Sequence, residues 1–126
     1  PLRLLLVDDE APARTRLRDL LGDIAADVPT QVVAEAADGF AALDLAQAGD
    51  FDVALIDIRM PGMDGIEVSR RLRADPTTAH IPIVVMSTIE RIRALSGEMA
   101  INDQLPKPFT LDRLYSTLER WAPIES

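Results

Sequence analysis

Asp57 stands at the end of the apolar run Val53-Ala54-Leu55-Ile56, and the pairs Pro61-Gly62 and Asp64-Gly65 follow within a few residues. Such a run is the mark of a strand buried on both faces, and the turn residues behind it stop the chain from extending. The chain therefore drives a carboxylate out of a core at the end of a strand. Polar groups are delivered in the same way at three other places. Asp8-Asp9-Glu10 follows Leu2 to Val7, Ser87-Thr88 follows the run 81–86, and Lys107 lies inside Leu105-Pro106-Lys107-Pro108-Phe109. Carboxylates crowded at one point repel one another, and a hard divalent cation relieves that repulsion. Mg²⁺ prefers oxygen ligands and keeps several waters, so one or two carboxylates and a phosphate oxygen suffice to hold it. A hydroxyl and an ammonium on the opposite side complete a cradle for an oxyanion. The set suits phosphoryl chemistry, where positioning and charge neutralisation do most of the work, with Asp57 as the nucleophile that becomes an acyl phosphate.

Each piece alone has a plainer reading. Asp8-Asp9 is ordinarily loop acid or a helix cap, Ser87 a turn residue, and a lone lysine a solvated charge. Met60-Pro61-Gly62 and Asp64-Gly65 are turn chemistry on any reading. What the plain readings leave unexplained is the joint occurrence, in order, at successive strand ends. His80 is the sole histidine and falls in the connection 75–82 rather than on a helix. It is read as a surface loop residue, poorly placed for phospho-acceptance and without nitrogen or sulfur partners for zinc.

The elements that must position these groups alternate. Leu2 to Val7 is a strand. Pro12 suits the first turn of a helix, and Leu17, Leu20, Leu21 and Ile24 mark its inner face, with Arg14, Arg16, Arg18 and Asp19 outside. Asp27 to Thr30 is a loop, Gln31 to Glu35 a strand, and Phe40 to Ala48 a helix after the turn Asp38-Gly39. Asp52 to Ile56 is the third strand. The third helix runs from about Gly65 to Ala74, with Ile66, Ser69 and Leu72 facing in. Asp75-Pro76 breaks it. Ile81 to Met86 is the fourth strand, and a weakly signalled helix lies within Glu90 to Ala100. Asp103 to Leu105 is a brief fifth strand, its Pro106 acceptable near a strand end or on an edge. Thr110 can cap a last helix whose buried stripe is Leu111, Leu114, Leu118 and Trp121, closed by Pro123. Five β-α units imply an α/β fold with a parallel sheet and helices on both faces, and every strand's carboxyl end then lies on one rim.

Composition narrows the class. The 126 residues suit one domain, read as spanning 1–126 with a core of about 2–122. Apolar content of 48% and charged content of 27% are ordinary for a globular chain. No apolar run approaches the ~20 residues that span a bilayer, and no charged segment precedes the first; the reading is of a soluble, cytoplasmic domain without membrane contact. The absence of cysteine excludes disulfides and thiolate metal sites. A net charge of −8 argues against direct nucleic-acid binding and suits a cation or a basic protein partner.

From about Leu2 to Trp121 the sequence resembles the receiver domain of bacterial two-component response regulators. The resemblance rests on the acid pair in Leu6-Val7-Asp8-Asp9-Glu10, the segment Leu55 to Gly65 around Asp57, Ser87, and Lys107-Pro108-Phe109. It implies a flavodoxin-like (βα)5 three-layer sandwich with strand order 2-1-3-4-5. It implies that Asp57 accepts a phosphoryl group from a histidine kinase or histidine phosphotransfer protein, and that the domain assists its own phosphorylation and dephosphorylation without being an enzyme. Asp9, Asp57 and the backbone carbonyl of Arg59 would ligate Mg²⁺, or Mn²⁺ in its place, with Asp8 acting through water. Ser87 would hydrogen-bond the phosphoryl group, Lys107 would pair with it, and the Lys107–Pro108 bond would be cis. Phosphorylation would then shift a pre-existing equilibrium at the face formed by the fourth helix, fifth strand and fifth helix, where an output partner would dock; a homodimer is compatible with the same reading.

Three features depart from the pattern. Gln104 stands where similar proteins carry the Tyr or Phe that works with the Ser87 position as a switch. Thr88 stands where a small residue is usual, beside the acceptor site, where its methyl and hydroxyl would narrow access. The stretch from Ser87 to Lys107 is a little short. An atypical output relay is therefore expected. Arg59, two residues past the acceptor, is expected to alter phosphoryl lifetime. Other readings are a Mg²⁺-dependent phosphohydrolase with an aspartyl nucleophile, a flavin carrier, and a degenerate receiver used only for docking. The first needs a second acid where Arg59 stands, the second a phosphate loop where Asp8-Asp9-Glu10 stands, and the third does not explain an intact acceptor set.

Overall fold

The computed structural model describes residues 1–95, 97 and 101–121. Ten elements alternate in chain order: β1 (Leu2–Val7), α1 (Ala11–Asp23), β2 (Thr30–Ala36), α2 (Gly39–Ala48), β3 (Val53–Asp57), α3 (Gly65–Ala74), β4 (Ile83–Thr88), α4 (Ile89–Leu95), β5 (Asp103–Lys107) and α5 (Leu111–Glu119). The strands form one parallel sheet in the order β2-β1-β3-β4-β5. This is the flavodoxin-like arrangement that the resemblance implies.

Strand alternation divides the core into two layers. Leu5, Val7, Ala54, Ile56, Ile83 and Val85 face one side, where they meet Ala42 and Ala46 of α2, Ile66 and Leu72 of α3, and Ile92 of α4. Leu4, Leu6, Val53, Leu55, Val84 and Met86 face the other, against Leu17 and Leu21 of α1 and Leu114 and Leu118 of α5. β3 is buried along its whole length, which is why its sequence reads as an unbroken apolar run. Burying each such Leu or Ile stabilises the fold by roughly 1.5–3 kcal/mol.

From β1 the chain crosses to β2 on one side, then returns to place β3 on the other. The carboxyl ends of β1 and β3 are therefore neighbours at the point where the winding reverses, and a crevice opens there in any sheet so wound. Asp8 follows β1, and Asp57 ends β3.

The structure corrects several boundaries. β4 begins at Ile83, not Ile81, and runs on through Ser87 and Thr88, while β5 reaches Lys107. Backbone pairing of Ser87 with Pro106 and of Thr88 with Lys107 carries both strands past their apolar stretches. β5 lies at the sheet edge, where Pro106 lacks only a bond that no neighbour would accept. Thr30 and Asp57 belong to strands. Leu111 is 38% exposed, unlike Leu114 and Leu118 at 0%. It is the first residue of α5, and its side chain leans toward the helix start, away from the turns that cover the sheet. Arg14 is half-buried rather than on the outer face. Pro123 and part of the stretch expected to hold the fourth helix lie outside the described residues; α4 itself covers Ile89–Leu95.

Candidate functional site

The first acid pair sits where β1 hands over to α1. Asp8 donates its N–H to the carbonyl of Ala36 at the end of β2, 3.1 Å away. Its Oδ1 accepts the Glu10 N–H at 3.0 Å, and its carbonyl accepts Nη1 of Arg14 at 2.6 Å. Glu10, the residue before α1, makes no side-chain capping bond, and the first turn contains no acid. Residues that would ordinarily cap the helix are thus turned elsewhere. The partial positive charge of the α1 N-terminus still favours carboxylates placed beside it.

Asp57 is 8% exposed. Two backbone bonds fix the turn behind it: Ile58 N–H to the carbonyl of Met86 at 3.0 Å, and Gly65 N–H to the carbonyl of Ile58 at 2.8 Å. Asp64 caps α3 by accepting the Glu67 N–H at 2.9 Å, and Gly62, at φ +78°, makes the reversal that a side chain would strain. Gly65 lets α3 start directly against Asp57, because a Cβ there would lie 2.4 Å from the Asp57 carbonyl oxygen. The sequence marked Asp64-Gly65 as turn chemistry only; this steric demand was not legible in it.

One oxygen from each of Asp8, Asp9 and Asp57 can be chosen so that all lie within 4.8 Å of one another. At that separation two carboxylates repel by about 3 kcal/mol at an effective dielectric of ~20. Lys107, at the end of β5, supplies the opposing charge: its Nζ lies 3.5 Å from Asp8 Oδ2 and 3.5 Å from Asp57 Oδ1. The Lys107–Pro108 peptide bond is cis, as the resemblance implies. One ammonium against three carboxylates leaves a negative deficit that a cation bound by oxygen ligands would fill. The Asp57 carboxyl is pushed up to about 6, chiefly by burial; Lys107 pulls it down, while the charges of Asp8 and Asp9 push it further up.

Ser87 is buried at 5% exposure in β4. Thr88 is exposed, and its Oγ1 accepts the Arg91 N–H at 3.3 Å, which caps the first turn of α4. It also lines, with Asp8, Leu17, Met86, Lys107 and Phe109, a mostly apolar groove of about 330 Å³ beside the acids. Arg59 is exposed in the loop after β3, and Gln104 is exposed on edge strand β5, away from the acids' neighbour positions in the sheet register. His80 is exposed in a turn, as expected. The structure therefore gathers Asp8, Asp9, Asp57 and Lys107 at one point, with Ser87 at the end of the adjoining strand.

Among the described residues no helix is long and apolar enough to cross a membrane. The model of the response regulator receiver domain family matches residues 4–119. The chain is 42% identical over 109 residues to the cyclic di-GMP phosphodiesterase response regulator RpfG of Xanthomonas campestris, a match covering 85% of this chain and 28% of that protein. It is 32% identical over 121 residues to chemotaxis protein CheY-3 of Vibrio cholerae, covering 94% of this chain and 90% of that protein. Among solved structures, the receiver domain of a sensor histidine kinase from Pseudomonas aeruginosa superposes with a TM-score of 0.82 at 29% identity, covering 95% of this chain and 96% of that one. That structure holds a magnesium ion coordinated in its active-site cleft.

Proposed function

The chain belongs to the response regulator receiver domain family, and we propose that it acts as a phosphoacceptor, taking a phosphoryl group onto Asp57 from a phosphohistidine of a kinase or phosphotransfer protein. One observation carries the proposal: three carboxylate oxygens lie within 4.8 Å of one another, with a single ammonium 3.5 Å from two of the three groups.

An Asp57 oxygen attacks phosphorus, the P–N bond to the donor imidazole breaks, and the product is an acyl phosphate. Bound Mg²⁺ supplies neutralisation of phosphoryl charge and a template for its oxygens. The residues proposed to hold it are Asp9, Asp57 and the Arg59 carbonyl, with Asp8 through water; these donors are all oxygen, which fits a hard cation. Lys107 holds Asp57 in its ionised, nucleophilic form and then pairs with the transferred group. Ser87, at the end of the neighbouring strand, donates its hydroxyl to a phosphoryl oxygen. Arg59 stands exposed past the acceptor, where its cation influences how long the acyl phosphate survives.

The output is proposed to pass through the β4–α4 corner toward the α4-β5-α5 face. Gln104 lies exposed on β5 and offers no aromatic side chain to follow Ser87, so the relay differs from one built on a Tyr or Phe switch. The chain spans 28% of RpfG, and the output of any longer protein is not specified by this domain. Transfer from a phosphorylated histidine phosphotransfer domain tests the reading. Label moves to this chain with Mg²⁺ present and stays on the donor with a chelator; transfer unaffected by the chelator would contradict it.

A further inference from the structure

Arg14 is the group whose contacts the proposed chemistry does not use. It lies on α1, half-buried, with 18% of its side chain exposed. Its Nη1 donates to the carbonyl of Asp8 at 2.6 Å, and its Nε donates to Oε1 of Glu35 on β2 at 3.1 Å. The second oxygen of Glu35 accepts from Nη1 of Arg18. Neither acceptor of Arg14 is one of the three converging carboxylates. The carbonyl it holds belongs to the peptide joining Asp8 to Asp9, so it fixes the plane from which both side chains depart.

We propose that Arg14, clamped by Glu35, is a positioning residue that presets the Asp8-Asp9 pair for a divalent cation. This rests on the cation-assisted phosphoacceptor reading above. The argument is geometric. No capping bond from Glu10 locks the turn that carries the acids. It is also tied by the Asp8 N–H to Ala36, by the Glu10 N–H to Asp8 Oδ1, and by the Glu10 carbonyl, which accepts the Ala13 and Arg14 N–H groups. The first fixes the entry to Asp8, and the second occupies one Asp8 oxygen, leaving Oδ2 toward Lys107. Only the Arg14 bond among these holds the Asp8-Asp9 peptide by its carbonyl. A guanidinium is a planar fork with donors at fixed angles. With Glu35 holding one edge from β2, the other edge can present a donor only in one direction. The carboxylates are thereby kept together against their mutual repulsion before any cation arrives, and the cation need not order them on binding. Groups that orient metal ligands in this way change affinity without touching the metal.

The test is calorimetric titration of the full chain with Mg²⁺, for wild type, Arg14→Met, Arg14→Lys and Arg18→Met. Each protein is also melted in chelator, and the Glu10 amide is followed by NMR. Arg14→Met is expected to bind Mg²⁺ on the order of tenfold more weakly, with the Glu10 amide displaced in the metal-free state. Arg14→Lys falls between, since one ammonium can reach the carbonyl or Glu35 but does not reproduce the fork. Arg18→Met takes a guanidinium from Glu35 yet leaves the Asp8 carbonyl held, so its Mg²⁺ affinity stays at the wild-type value even where its melting point drops. Wild-type affinity in Arg14→Met, or equal losses in Arg14→Met and Arg18→Met, would overturn the proposal. Should Arg14→Met fail to fold, unchanged affinity in Arg14→Lys overturns it equally. Absence of Mg²⁺ binding by wild type would instead remove the cation site itself, and this inference with it.

Discussion

Gly65 and Asp57 are packed backbone to backbone: a Cβ on Gly65 would stand 2.4 Å from the Asp57 carbonyl oxygen and 2.8 Å from Cα of Ile58. The first turn of α3 and the last residue of β3 thus form one rigid corner, tied by the Gly65 N–H bond to the Ile58 carbonyl. The obstacles are backbone atoms, which cannot rotate out of the way. Gly65→Ala should therefore push α3 off the strand end, lowering stability by about 1–3 kcal/mol. It should also slow phosphorylation of Asp57 by displacing the carboxylate. Urea unfolding and intact-mass time courses check both effects.

Asp57 links stability to pH. Its carboxyl lies at about 6 in the folded chain against an ordinary value of 3.8. Between those values the folded chain retains a proton that the unfolded chain has released. Metal-free stability therefore falls as pH rises through this window, and the whole cost is present above it. Asp57→Asn removes the cost. In chelator at slightly alkaline pH the variant should be more stable than wild type by roughly 1–3 kcal/mol. The advantage should shrink as pH drops below the folded value, as denaturant unfolding across pH would report.

Lys107 is the cation within 3.5 Å of both Asp8 and Asp57. Lys107→Met should leave the acids to repel one another, which raises the Asp57 carboxyl further and leaves less of it ionised at neutral pH. Phosphorylation by a small acyl phosphate should slow by at least about tenfold, and its pH-rate profile should shift to higher pH. Stopped-flow or quench measurements across pH check it.

Thr88 holds the start of α4 through the Arg91 N–H. Thr88→Ala should lose that cap, at about 0.5–2 kcal/mol, and the loss should appear as faster amide exchange confined to residues 89–95. If Thr88 also narrows the groove beside Lys107, the same variant should accept bulkier acyl phosphates more readily. Exchange mass spectrometry and donor competition separate the two roles.

Much of this was legible in the sequence, for identifiable reasons. β3 is buried on both faces, so its sequence reads as an apolar run up to Asp57, the one charged residue of the strand, which is still only 8% exposed where the strand ends. Thr110 announces α5 because capping is a local interaction, read from neighbours in the chain, and it accepts the bond expected of a cap; Asp64, which reads as turn chemistry alone, caps α3 in the same way. The extent of β4 and β5 was not legible, because Ser87, Thr88 and Pro106 join the sheet by register with each other and not by hydrophobic pattern. Leu111 has the right spacing for the α5 stripe but overhangs the sheet. Arg14 and Glu35 are 21 residues apart, and no periodicity relates a helix guanidinium to a strand carboxylate. Gly65 reads as a turn residue whether or not another backbone lies against it.

The central claim is that Asp57 accepts phosphoryl groups, and the direct test is intact-mass spectrometry after incubation with a small acyl phosphate and Mg²⁺. Wild type should gain the mass of one phosphoryl group, lost again on treatment with hydroxylamine, and Asp57→Asn should gain none. No adduct on wild type, or an undiminished adduct on Asp57→Asn, would contradict the account.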